Sequence, residues 1–105
     1  LSLGSLSPGD AALLHNNKAA CHMVGKRYKE AIAACSDALD VFPDYAKALL
    51  RRAKAHEAQG QFKAALADLQ RANKLDSATD ESRAAERRVR ELASAMATPA
   101  PEISC

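Results

Sequence analysis

Aromatic side chains are scarce in this 105-residue chain, which has two tyrosines, two phenylalanines and no tryptophan, 4% of its residues. Its interior is therefore not filled by rings, and it offers no aromatic platform on which nucleic-acid bases could stack. Long apolar runs are missing too: none approaches the ~20 residues of a membrane-spanning helix. The opening LSLGSLSPGD lacks the charged leader and extended apolar stretch of a secretory signal. There are three cysteines, Cys21, Cys35 and Cys105, an odd number without a C-x-x-C pair. That argues against a disulfide framework and against a zinc site, and makes a reducing, intracellular compartment (the cytoplasm) the expectation. A formal net charge of +2 gives no global pull toward nucleic acid or membranes, so any electrostatic function must come from local placement.

Catalytic signatures are lacking as well. No nucleophile with an adjacent base, no Gly-rich phosphate loop and no paired-carboxylate motif occurs, so the chain reads as a non-enzyme. His15, His22 and His56 show no H-x-x-x-H spacing. Cys21 and His22 are helix neighbours that point about 100° apart, a poor ligand pair. Neither a cofactor nor a metal is expected. Cys21 and Cys35 are expected to fill small core spaces.

Alanine is abundant. Hydrophobic residues make up 48% of the chain and charged residues 27%, ordinary values for one globular domain. Alanine buries little area but lets backbones approach closely, which suits packed helices. Proline and glycine punctuate five helical stretches. The first covers residues 11–25 after the start signal Pro8-Gly9-Asp10. The second, residues 28–42, carries Tyr28, Ala31, Ile32, Cys35, Ala38, Leu39 and Phe42 at three- and four-residue spacing and stops at Pro43. The third runs from Asp44 to Gln59 and ends at Gly60. The fourth, residues 61–75, places Phe62, Ala65, Leu66, Leu69, Ala72 and Leu75 on one face. The fifth, residues 80–97, has an apolar stripe of Ala85, Val89, Leu92 and Met96, with Glu and Arg interleaved opposite. Residues 1–10 read as a linker or the end of a preceding unit, and 98–105 as a flexible tail.

Sliding the sequence on itself by 34 residues brings Ala19 onto Ala53, Tyr28 onto Phe62, Ala31 onto Ala65 and Ile32 onto Leu66. Ala38 then falls on Ala72 and Val41 on Leu75. Small residues recur where helices must touch, and large ones where a gap must be filled. A helix–turn–helix period of 34 with this pattern resembles the tetratricopeptide repeat. The resemblance implies an all-α, right-handed solenoid of two units, residues 12–45 and 46–79, closed by a capping helix over 80–97, together forming a domain over 11–97. Gly60 fits the glycine before a unit's second helix, whereas Gly25 stands one place early. Two units are few for a stack in which each repeat buries its neighbour, so a longer parent chain or self-association is expected.

The stretch KALLRRAK packs Lys47, Arg51, Arg52 and Lys54 into eight positions of the third helix. Lys47, Arg51 and Lys54, at i, i+4 and i+7, share a face, and Arg52 points elsewhere, structural or solvated. Asn17 lies 34 residues before Arg51, hence at the equivalent place in the first unit. Arginine offers a planar fork for carboxylates, lysine a point charge, and asparagine a neutral donor. In tetratricopeptide co-chaperones such a set forms a carboxylate clamp for the acidic C-terminal tail of seventy- and ninety-kilodalton heat-shock chaperones, in the order N…K-x-x-x-R. Asn17, Lys47 and Arg51 match that order. The resemblance therefore implies a peptide-binding site of these three, with Lys54 adding positive field and Asn16 a further amide. The clamp's other two members, a Lys and an Asn from a preceding repeat, have no counterpart here. The alternative expectation is a scaffold or self-association module, including a homodimer, that binds another peptide or itself.

Overall fold

A computed structural model of the chain describes residues 7–75 and 78–97. The expected tail over 98–105, with Cys105, and the first six residues of the expected linker lie outside the described residues. The elements are α1 (Pro8–Val24), α2 (Tyr28–Val41), α3 (Ala46–Ala58), α4 (Phe62–Asn73) and α5 (Asp80–Ala97), with no strand among the described residues. Each helix packs on the next, and α1 also reaches α3, the pattern of two stacked helical hairpins closed by a fifth helix.

Local chemistry sets the boundaries. Ser7 caps α1 by accepting a hydrogen bond from the Asp10 amide at 3.1 Å, and Pro8 suits the first turn because its missing N–H has no partner there. Residues 8–10 thus belong to the helix and not to the linker expected over 1–10. Phe42 is pushed to an extended backbone by the proline that follows it, which ends α2. Thr79 and Ser82 close the start of α5 reciprocally, each side-chain oxygen accepting the other's amide at 3.1 Å.

The helices α1 and α3 end in the same turn. The Lys26 amide donates to the Met23 carbonyl at 3.0 Å and the Arg27 amide to His22 at 2.8 Å. Thirty-four residues on, the Gly60 amide donates to Glu57 at 3.0 Å and the Gln61 amide to His56 at 2.8 Å. The motif needs a left-handed residue, and Gly60 supplies it at φ +75°. In the first unit the glycine is one place early, so Lys26 adopts φ +59° instead. A left-handed side-chain-bearing residue costs roughly 1–2 kcal/mol. Lys26→Gly is therefore expected to raise stability by about 1 kcal/mol in urea titrations, part of the relief being offset by a looser unfolded chain. His22 and His56 are explained by the same turn: the Arg27 Nε–H donates to His22 Nδ1 at 3.2 Å, and His56 Nδ1 meets Gln61 Oε1 at 2.7 Å.

The core follows the 34-residue register. Ala19 and Ala53, Ala31 and Ala65, and Ala38 and Ala72 are each at most 2% exposed. Leu39 and Leu49 join Ala12, Ala38, Ala48 and Ala72 in one cluster, while Leu69 and Val89 join Ala53, Ala65 and Ala85 in another. Three expectations are corrected. Phe42 is 51% exposed, because it lies past the helix end and its ring rests at a tilt against Tyr45 instead of entering the stripe. Leu92, 37% exposed, lies at the edge of the stripe: α5 buries Ser82, Ala85, Val89 and Ala93, and the Ser82 hydroxyl donates to Asn73 Oδ1 of α4. (The Met96 side chain lies outside the described set.) Cys35 is fully buried as expected, but Cys21 is exposed. Its equivalent Ala55 is fully buried in the stack, as is Ala48, which packs with Ala38 and Leu39 of α2. No described helix lies on the corresponding side of α1, so Cys21 and the half-exposed Leu14, the equivalent of Ala48, face outward.

Candidate peptide-binding groove

The four cations of α3 have different surroundings. Arg52 leaves the shared face, as its position 100° from Arg51 requires. Its Nε–H and Nη2–H donate to Asp68 Oδ2 and Oδ1 at 2.8 and 2.7 Å, a bidentate pair, and Nη1–H donates to Ser36 Oγ at 3.1 Å. One guanidinium thus ties α2, α3 and α4 together, and its pKa is raised chiefly by the hydrogen bond to Asp68. Lys54 is engaged too: its Nζ–H donates to Glu81 Oε2 of α5 at 2.9 Å, and that contact holds the Glu81 carboxyl below the usual range.

Arg51 is half-buried, and its partner is neutral. Its Nη1–H donates to the Asn16 side-chain oxygen at 2.7 Å and to the Asn16 carbonyl at 3.3 Å. Asn16 is itself 4% exposed, and its Nδ2–H donates to the Tyr45 hydroxyl at 3.5 Å. Both ends of this amide are therefore in use. Lys47 and Asn17 are exposed, and neither has a hydrogen-bond or ion-pair partner among the described residues.

Of the residues singled out from the sequence, Arg51 and Asn16 are brought into contact, Lys54 is drawn to the capping helix, and Lys47 and Asn17 remain open. Tyr45, Asp68 and Glu81 were not anticipated. Asp68 left a signal: it lies three residues after Ala65 and four before Ala72, on the stripe α4 buries, where an acid requires a cationic partner. Cys35 carries no reactive thiol, since burial pushes its pKa to about 11. Among the described residues no group of three or more His, Cys, Asp or Glu is placed to hold a metal ion. No described helix is long and apolar enough to cross a membrane.

Paired helices in a 34-residue register, with amides on α1 and cations on α3, define a helical-repeat interaction module. The tetratricopeptide-repeat family model matches residues 25–89, and the chain belongs to that family, whose domains are in general non-catalytic protein-interaction modules. Over 73 residues the chain is 36% identical to the human mitochondrial import receptor subunit TOM34, covering 70% of this chain and 24% of the relative. It is 33% identical to mouse sperm-associated antigen 1 over 70% of this chain and 8% of that protein. The chain thus spans about a quarter or less of the length of these relatives. Among solved structures, the Arabidopsis OM64 tetratricopeptide domain superposes with a TM-score of 0.74 at 30% identity, covering 79% of this chain and 69% of that one. The first such domain of Spaghetti (RPAP3), bound to the HSP90 peptide SRMEEVD, superposes with a TM-score of 0.71 at 25% identity, covering 83% and 67%.

Proposed function

We propose that this chain docks the acidic C-terminal peptide of a heat-shock chaperone, of the seventy- or ninety-kilodalton class, as co-chaperones do. Lys47 and Arg51 pair the carboxylates, and Asn17 donates its side-chain N–H to the terminal one. Asn16 acts through Arg51, whose fork it orients. Lys54 contributes little field while Glu81 compensates it. The observation that carries this reading is the division of the four cations. Arg52 and Lys54 each face a carboxylate, whereas Lys47 has no partner among the described residues and Arg51 is held by a neutral amide. Two positive charges therefore remain available to an anionic ligand, beside an unpartnered asparagine. A structural relative bound to a peptide ending in Glu-Glu-Val-Asp supports the ligand class. On this reading the protein works in the cytoplasm.

Calorimetry with SRMEEVD tests the reading. Lys47→Ala is expected to weaken binding about tenfold, and amidating the peptide's C-terminus to weaken it comparably, since each removes one charge-assisted contact. Equal binding by wild type and variant, or no binding by either, would sink the idea.

A further inference from the structure

The contacts that begin at Arg51 fix the direction of every proton along them. A guanidinium only donates, so the oxygen of the Asn16 amide faces Arg51 Nη1, 2.7 Å away, and the amide nitrogen faces the other way. That nitrogen is again only a donor, and the group before it is the Tyr45 hydroxyl at 3.5 Å. The hydroxyl oxygen therefore accepts, and its own O–H is left to point elsewhere. No acceptor for that proton stands among the described residues. Guanidinium and phenol are held on one carboxamide, which keeps them less than about 9 Å apart, two to three residues of extended chain.

We infer that the Tyr45 hydroxyl is a further contact group of the peptide site, donating its O–H to a ligand carboxylate next to the one paired by Arg51. The inference rests on the acidic-peptide reading above. Packing does not call for the hydroxyl. The Tyr45 ring packs against the cluster of Ala12, Ala38, Ala48 and Ala72, a place that a phenylalanine ring would fill equally. Nor does the repeat call for it. At the junction with α5, thirty-four residues on, Leu50 stands in place of Asn16 and Thr79 in place of Tyr45. The Thr79 hydroxyl is already used to accept the Ser82 amide. The amide–phenol pair thus belongs to the junction between the two hairpins, where Arg51 also lies. The Arg51 charge polarises the amide and makes the phenol a stronger donor, which favours an ionised acceptor over a neutral one. Lys47, two residues along and exposed, helps to hold that anionic stretch within reach of the hydroxyl.

The test compares wild type with Tyr45→Phe by amide chemical-shift titration. The ligands are SRMEEVD, its versions with each glutamate or the aspartate replaced in turn by alanine, and its C-terminally amidated form. The variant keeps the ring, so its urea midpoint should match wild type. It should bind SRMEEVD about tenfold more weakly, the loss of one hydrogen bond to a charged acceptor. On one of the altered peptides the difference between the two proteins should fall below about twofold, because the carboxylate that the hydroxyl holds is gone. This comparison holds whatever happens to stability, since a general loosening weakens all the peptides alike. Equal binding of SRMEEVD by both proteins overturns the assignment and leaves acidic docking standing. A loss of the same size on every peptide overturns it too, marking the hydroxyl as a structural contact. If wild type binds none of the peptides, both readings fall together.

Discussion

Arg52→Leu is expected to lower the unfolding free energy by about 3 kcal/mol, read as a shift of the urea midpoint at unchanged slope. The substitution leaves the Asp68 carboxylate, whose side chain is 8% exposed, without its two charge-assisted donors and without water enough to replace them. It also frees Ser36, the link to α2. The Arg52 side chain is 25% exposed, which keeps the loss at the lower end of what breaking a buried pair costs. Asp68→Leu should cost less, because the stranded guanidinium can turn toward solvent. The double variant should recover much of the loss, since two aliphatic side chains pack where a desolvated ion pair stood. Three helices meet at this pair, and a domain of this size holds only about 5–15 kcal/mol in total. Peptide affinity of the folded protein should not change, because Arg52 is turned away from Lys47 and Arg51.

The split between Arg52 and its neighbours was readable from helical geometry alone, since adjacent residues diverge by 100°. So were the five helices and the register. Alanines 34 apart are buried in pairs because the same backbone approach recurs in each hairpin. What the sequence hid depends on how helices rotate and where they stop. Leu92 and Ala93 are both apolar, and the rotation of α5 that seats Ser82 on Asn73 buries Ala93 more fully than Leu92. Cys21 fits the core pattern of its unit, yet it faces outward because no described helix covers that side of α1. Asn16 and Asn17 are indistinguishable by residue type. The resemblance singled out Asn17, while the rotation of α1 puts Asn16 on the Arg51 guanidinium and leaves Asn17 open. The Lys54–Glu81 contact spans 27 residues and depends on where α5 lands.

Arg51→Glu should abolish measurable docking of SRMEEVD, a loss on the order of 100-fold, while leaving the fold nearly intact. The reversal removes one of two uncompensated cations and sets a carboxylate where ligand carboxylates would lie, so attraction becomes repulsion. The fold tolerates it because Arg51 is held by an amide. Asn16 can rotate its side chain to donate to the new acid, and the Tyr45 hydroxyl can then donate to the Asn16 oxygen. A stability change of about 1 kcal/mol or less is expected, against about 3 for Arg52→Leu one residue along. Arg51→Lys separates charge from geometry. It keeps the positive charge but loses the planar fork that Asn16 orients, and binding about tenfold weaker is expected. Salt should weaken wild-type binding, because exposed ion pairing is screened. Arg51→Glu binding at wild-type affinity would mean that these cations do not face the ligand.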